Sequence, residues 1–183
     1  YMDHADPERA WRVLEPVMER YSLSLPPTVV TRAAEAARLS GERISALRLL
    51  RNHYAKDPTD PRVLNNLVFT LAQKRDEAGA AAALVPELLA LDQGAATLDT
   101  VAFALNAMGK PGQALPHIDK ALQLAESEPI RLWTGIYITA AEIQNALGNG
   151  DKTRSILERL IKETGPVIRN EPRVRALLRQ QDA

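Results

Sequence analysis

The sequence contains no cysteine, only 4% aromatic residues and no surplus of charge of either sign. Without cysteine there can be no disulfide, no thiol catalysis and no cysteine-based zinc site, and the redox compartment stays open. Lys plus Arg and Asp plus Glu each number 23, so the formal net charge is zero. There is accordingly no overall basic field to hold a nucleic-acid backbone by counterion release. No apolar run reaches the ~20 residues of a membrane helix. No signal-peptide pattern opens the sequence, so either the protein is cytoplasmic or an export segment lies outside this stretch. The scarcity of aromatics leaves alanine and leucine to supply the apolar surface, which favours closely packed helices over a β-sandwich.

What the chain does have is an ordinary globular balance, 45% hydrophobic and 25% charged over 183 residues, enough for one domain or one stretch of repeats. Residues of catalytic type do not converge. His4, His53 and His117 are far apart in the sequence, and none has a second ligand three or four residues away. His53 reads as a packing residue, Glu126 and Glu128 as a solvated pair, and Gly148-Asn149-Gly150 as a helix-to-helix turn rather than a phosphate loop. Trp11 and Trp133 read as core or inter-helix contacts. No enzyme, metal site or cofactor is expected.

The positive signal is internal repetition. The segments 39–50 (LSGERISALRLL), 107–118 (AMGKPGQALPHI) and 146–157 (ALGNGDKTRSIL) each read as a helix end, a glycine turn and a second helix. Segment 72–84 takes the same place with Arg75 where the others have glycine. Ala34, Val68, Ala102 and Ala141 then fall at one equivalent place, at spacings of 34, 34 and 39 residues. Ala46, Ala80, Ala114 and Thr153 fall at another, followed four residues later by Leu50, Leu84, Ile118 and Leu157. Small residues are needed where paired helices touch, and Leu or Ile fills the groove alongside. A helix–turn–helix of this period with small residues at these places resembles the tetratricopeptide (TPR) repeat.

The expected fold is therefore all-α: a superhelical TPR solenoid of four and a half repeats with a C-terminal capping helix. The repeats are 27–60, 61–94, 95–128 and about 134–167, with a helix over about 130–147 absorbing the five extra residues. Residues 1–26 read as a half-repeat, a second helix only, continuing from a longer array; Ala10 takes its small position and Leu14 its filling position. Residues 168–183 supply the cap and tail, with Arg173, Arg175 and Arg179 on its polar outer side. Pro16, Pro86 and Pro116 recur within second helices and imply a kinked outer layer.

Two runs, DPRVLNNLVFTLAQ at 60–73 and ATLDTVAFALNAMGKPGQALPHIDKALQLA at 96–125, are similar to the C-terminal repeats of large bacterial TPR proteins, including TPR lipoproteins encoded with exosortase and exopolysaccharide systems. The resemblance covers about residues 27–165. It implies a non-catalytic scaffold for protein–protein interaction or assembly, with the periplasm or cell envelope favoured over the cytoplasm. Phe69 and Phe103 stand where that family usually has tryptophan, and His53 and Glu87 where it has a small residue.

In TPR proteins the first helix of each repeat lines a concave groove. Carried over, that pattern gives Thr31, Glu35 and Arg38 in the first full repeat, then Arg62, Asn65, Asn66, Phe69 and Gln73 in the second. It gives Asp99, Thr100, Phe103 and Asn106 in the third, and Thr139, Glu142 and Asn145 in the last. The amides suit a peptide backbone or sugar hydroxyls, and the phenylalanines supply apolar contact or simply pack between neighbouring first helices. The expected partner is a protein or peptide, with no nucleic acid and no membrane span in this stretch, and the half-repeat allows stacking or a homodimer. Two other readings stay open: an accessory or regulatory domain of a larger enzyme, and a glycan-contacting domain in polymer export.

Overall fold

A computed structural model describes residues 6–127 and 129–181, so His4 and Glu128 lie outside the described residues. Every regular element among the described residues is helical. The chain divides into two compact units, residues 1–92 and 93–183. The first holds α1 (Pro7–Tyr21), α2 (Pro27–Leu39), α3 (Arg43–Lys56), α4 (Pro61–Ala72), α5 (Ala78–Ala83) and α6 (Val85–Leu91). The second holds α7 (Ala95–Ala107), α8 (Pro111–Ala125), α9 (Thr134–Ala146), α10 (Gly150–Thr164) and α11 (Pro172–Gln181). Helices adjacent in sequence pack as neighbouring pairs: α2 with α3 and α4 with α5 in the first unit, α7 with α8 and α9 with α10 in the second. No helix among the described residues is long and apolar enough to cross a membrane.

The pairs form because each helix carries its small residues on one line. Ala34, Val68, Ala102 and Ala141 are all buried, as are Ala46, Ala114 and Thr153. Leu50, Ile118 and Leu157 are buried one turn later, in the places expected for groove-filling residues. Proline starts α2, α4, α7's partner α8 and α11 within their first two positions, where a missing N–H removes no helical bond.

The second helix of the pair 61–91 departs from expectation. Ala80 is exposed and Leu84 only half-buried, whereas Ala81, Val85 and Leu88 are buried. The register there is one residue later than the repeat alignment implies, and the turn explains why. Gly41, Gly109 and Gly148 all have positive φ, at 89°, 74° and 78°. Each lets the next residue's N–H reach back five positions, as from Lys110 to the Leu105 carbonyl at 3.0 Å and from Glu42 to the Ala37 carbonyl at 2.8 Å. Arg75 cannot adopt that left-handed conformation cheaply. The chain instead makes successive short turns, Lys74 N–H to Leu71 O and Glu77 N–H to Lys74 O, and α5 begins a residue late. The counterpart of His53 is consequently Leu88, not Glu87. Glu87 accepts a 2.7 Å hydrogen bond from the Tyr54 hydroxyl, while His53 is buried and donates through Nε2 to the Ser22 carbonyl.

Three other expectations are corrected. Pro86 breaks its helix into α5 and α6 at Leu84, while Pro16 and Pro116 remain inside α1 and α8. The expected helix over 130–147 is a three-residue 3-10 turn, Ile130–Leu132, followed by α9 from Thr134. In α1, Trp11 and Met18 are buried, whereas Ala10 and Val17 are exposed and Leu14 half-buried. The buried face of α1 is thus centred on Trp11 and Met18, with Leu14 between them at helical spacing and Ala10 left in solvent.

The shifted register has a direct test. Ala81→Leu forces a large side chain into a filled contact and is expected to cost roughly 1–3 kcal/mol. Ala80→Leu, on the exposed side, is expected to stay within about 0.5 kcal/mol of the parent in urea unfolding. The reverse order would restore the unshifted alignment.

Candidate functional site

In the second unit the residues expected to face a groove lie on α7 and α9, and α11, expected only as a cap, joins them. Phe103, Asn106 and Ala107 of α7, Glu142 and Asn145 of α9, and Arg173, Ala176, Leu177 and Gln180 of α11 line one pocket of ≈ 290 Å³. Arg173 is its pivot. Its guanidinium lies 4.8 Å from the centre of the Phe103 ring, close enough for a cation–π contact. It holds Glu142 through two bonds, Nε to Oε1 at 2.8 Å and Nη2 to Oε2 at 2.6 Å, and also donates to the Thr139 hydroxyl at 3.0 Å. Burial alone would lower its pKa, but Glu142, Asp99 and Glu171 outweigh that and keep it above the ordinary arginine value. Arg173 was expected on the polar outer side of the cap. It points inward because Glu142, Phe103 and Thr139 together offer a charged, planar and hydrogen-bonding seat that a surface position lacks.

The rest of α11 also engages α9. Asn145 donates to Gln180 Oε1 at 2.7 Å and accepts from Gln181 Nε2 at 3.0 Å. Thus Glu142 and Asn145, two of the expected groove residues, are already bonded within the chain. Asn106 is different: among the described residues no hydrogen bond or ion pair is made by its amide.

Asp99 sits behind this cluster. The residue is half-buried, yet its Oδ1 is sealed from solvent and has no hydrogen-bond partner in the structure. The desolvated carboxyl is pushed up to about 6, although the Thr139 hydroxyl bonded to it and nearby Arg173 pull the other way. Asn65 occupies the equivalent place in α4, and its Oδ1 is likewise buried without a partner.

In the first unit the expected residues are less gathered. Arg62 is exposed and turns back to Asp60, with Nη2 2.7 Å from Oδ2. Asp60 in turn caps α4 by accepting from the Arg62 and Val63 backbone N–H groups at 2.9 and 3.3 Å. Asn66 donates to the Arg62 carbonyl at 2.8 Å, and Gln73 is exposed at the end of α4. Phe69 carries the Arg38 guanidinium at 5.2 Å from its ring centre. Burial lowers the pKa of Arg38, with Glu35 opposing. Thr31 is buried and bonds locally to the Thr28 carbonyl. Thr100 is buried as well.

Sequence reasoning missed the role of Arg173, though a signal exists. Glu171-Pro172-Arg173-Val174 repeats Asp60-Pro61-Arg62-Val63. In both, the acidic residue accepts from the valine N–H, at 2.8 Å for Glu171. Only the arginines differ in destination. A second concavity in this unit, ≈ 280 Å³ and lined by Leu122, Tyr137, Ile156 and Arg159 among others, holds none of the expected groove residues. No family model matches the chain, and no curated protein matches it.

The Asp99 carboxyl yields a pH prediction. Its folded pKa lies above the unfolded value, so it contributes stability that is present below about pH 4 and lost as pH rises through about 6. Asp99→Asn removes that loss. The variant is expected to gain on the parent by roughly 2–3 kcal/mol between pH 4 and 7. Parallel stability–pH curves would place the carboxyl in solvent.

Proposed function

We propose that this chain is a non-catalytic scaffold of stacked TPR-type helix pairs whose first-helix face binds an extended peptide segment of a protein partner. The observation that carries this reading is the gathering of Phe103, Asn106, Glu142 and Asn145 around a single pocket of ≈ 290 Å³. The position of the small residues at the helix contacts, and the positive-φ glycine turns, support the TPR assignment.

The chemistry of the pocket suits a peptide. Asn106 offers both a donor and an acceptor to a main-chain amide. Phe103, Ala107, Ala176 and Leu177 give apolar contact beside it. The Arg173–Glu142 pair fixes the wall rather than meeting the ligand, since both forks are already occupied. Preorganised walls of this kind reduce the ordering cost of binding. In the first unit, Arg38 on Phe69 offers a guanidinium with no carboxylate bonded to it among the described residues, where Arg173 on Phe103 has Glu142. A carboxylate bound at the first unit by itself would complete that stack.

The test is selection of a displayed peptide library against the whole chain. Enriched peptides are expected to lose at least tenfold in affinity on Asn106→Ala, with the melting temperature within about 1 °C because that amide supports nothing in the fold. Phe103→Ala should weaken binding too, at some cost in stability. Enriched peptides that bind Asn106→Ala and Phe103→Ala as well as the parent, or no enrichment at all, would defeat the reading.

A further inference from the structure

Zero net charge conceals a concentrated positive ledge in the first unit. Arg43, Arg48 and Arg51 of α3, with Lys74 from the turn after α4, line a concavity of ≈ 450 Å³ that Leu47 floors and Ile44 and Glu77 border. Glu77 is the single carboxylate among these lining residues. It is committed to Arg43, which holds it by Nη1 to Oε1 at 3.0 Å and Nη2 to Oε2 at 2.7 Å while Nε donates to the Thr70 carbonyl at 3.2 Å. Arg48 reaches only Glu19, at 4.0 Å, with both side chains more than half exposed. The side chains of Arg51 and Lys74 make no hydrogen bond or ion pair among the described residues.

This surplus is not rewarded by the fold. Arg48 and Arg51 are three apart on one helix and repel one another. Arg43 begins α3, where the helix dipole disfavours a cation, and its compensation is Glu77 with Glu42 at the N-cap, which leaves Arg48, Arg51 and Lys74 as the surplus. The local field is visible at Glu77, whose carboxyl is held below the ordinary glutamate range by its hydrogen bond to Arg43; desolvation opposes this, and the charges of Arg43, Arg51 and Lys74 each add a smaller downward pull. A carboxylate is therefore the species this ledge stabilises, and one bidentate Arg–carboxylate pair already shows the geometry. Ile44, 82% exposed at the rim, adds an apolar contact that a bare anion would not use.

We propose that the α3 ledge is a second binding site, for an acidic, partly apolar peptide segment whose carboxylates pair with Arg48, Arg51 and Lys74 and whose aliphatic side chain covers Ile44. The site shares no residue with the pocket built on Phe103 and Asn106, and the proposal stands independently of that pocket.

The experiment uses the full chain and a fluorescein-labelled synthetic peptide of alternating glutamate and leucine, with inorganic tripolyphosphate as a second probe. The triple variant Arg48→Ala/Arg51→Ala/Lys74→Ala should lose at least tenfold in peptide affinity, and its far-UV dichroism should match the parent because these side chains are exposed. A control that removes as much charge elsewhere, Lys152→Ala/Lys162→Ala/Arg179→Ala, should bind as the parent does. Ile44→Ser should weaken the peptide about threefold and leave tripolyphosphate unchanged. Equal losses in the triple variant and the control would reduce the effect to general charge and overturn the proposal. So would a parent that fails to bind the peptide, or an Ile44→Ser variant that binds it normally, since a site for small anions alone predicts that result.

Discussion

The close approach of paired helices at alanine-sized positions is the constraint on which the other features depend. Ala33, Ala37, Ala46, Ala102, Ala114 and Ala141 are all sealed from solvent. Each contributes little transfer free energy of its own, because a methyl group buries little area. Their value lies in what their smallness admits: Leu50, Val85, Ile118 and Leu157 interdigitate only when the backbones stand close. In the second unit this yields the cluster of Ile138, Leu157, Leu160, Val174 and Leu177, on which α11 rests. The seating of α11 then brings Arg173 to Phe103 and Glu142. The pocket is thus a downstream consequence of helix contact, not an independent feature laid on the fold.

Much of this was legible in the sequence, because the period of small residues and the turn glycines are local signals with direct physical meaning. The all-helical class, the paired helices and the burial of Ala34, Val68, Ala102 and Ala141 follow from them. What could not be read was the response to a missing signal. Arg75 in place of glycine reads as a tolerated substitution, yet it removes the left-handed turn and moves Ala81, Val85 and Leu88 into the places expected for Ala80, Leu84 and Glu87. A fixed-period alignment cannot register a one-residue slip that is made good before α7. The break at Leu84 and the 3-10 turn before α9 are likewise set by backbone bonding that proline and chain length only hint at.

The candidate site divides along the same line. Asn106, Phe103, Glu142 and Asn145 were accessible from helix position, since side chains on one face of a helix recur at fixed offsets. The partners of Glu142 and Asn145 were not, because Arg173, Gln180 and Gln181 lie 31 to 36 residues away in the chain and a polar arginine near a terminus reads as solvated. The repeated acidic-Pro-Arg-Val start of α4 and α11 marks both helices as alike at their N-termini. It does not tell which way the arginine turns. Arg62 finds its own capping aspartate within two residues, whereas Glu171 spends its carboxylate on the Val174 N–H, and Arg173 finds a better seat at Glu142.

Electrostatics follow local supply rather than total charge. At Asp99 and Glu142, two carboxylates share one arginine, and the carboxyl without a donor for its buried oxygen takes up its proton more readily than an ordinary aspartate. At Glu77 the ratio is inverted, with several cations around one carboxylate, and that carboxyl stays ionised further into acid. Both sites are built from the same residue types within a chain of zero net charge, and they differ in which sign is left over. A charge left over in a partly dried site is costly to the free protein and favourable to a ligand of the opposite sign. The sign of that remainder, counted residue by residue at each concavity, therefore says more about what the chain can hold than its composition does.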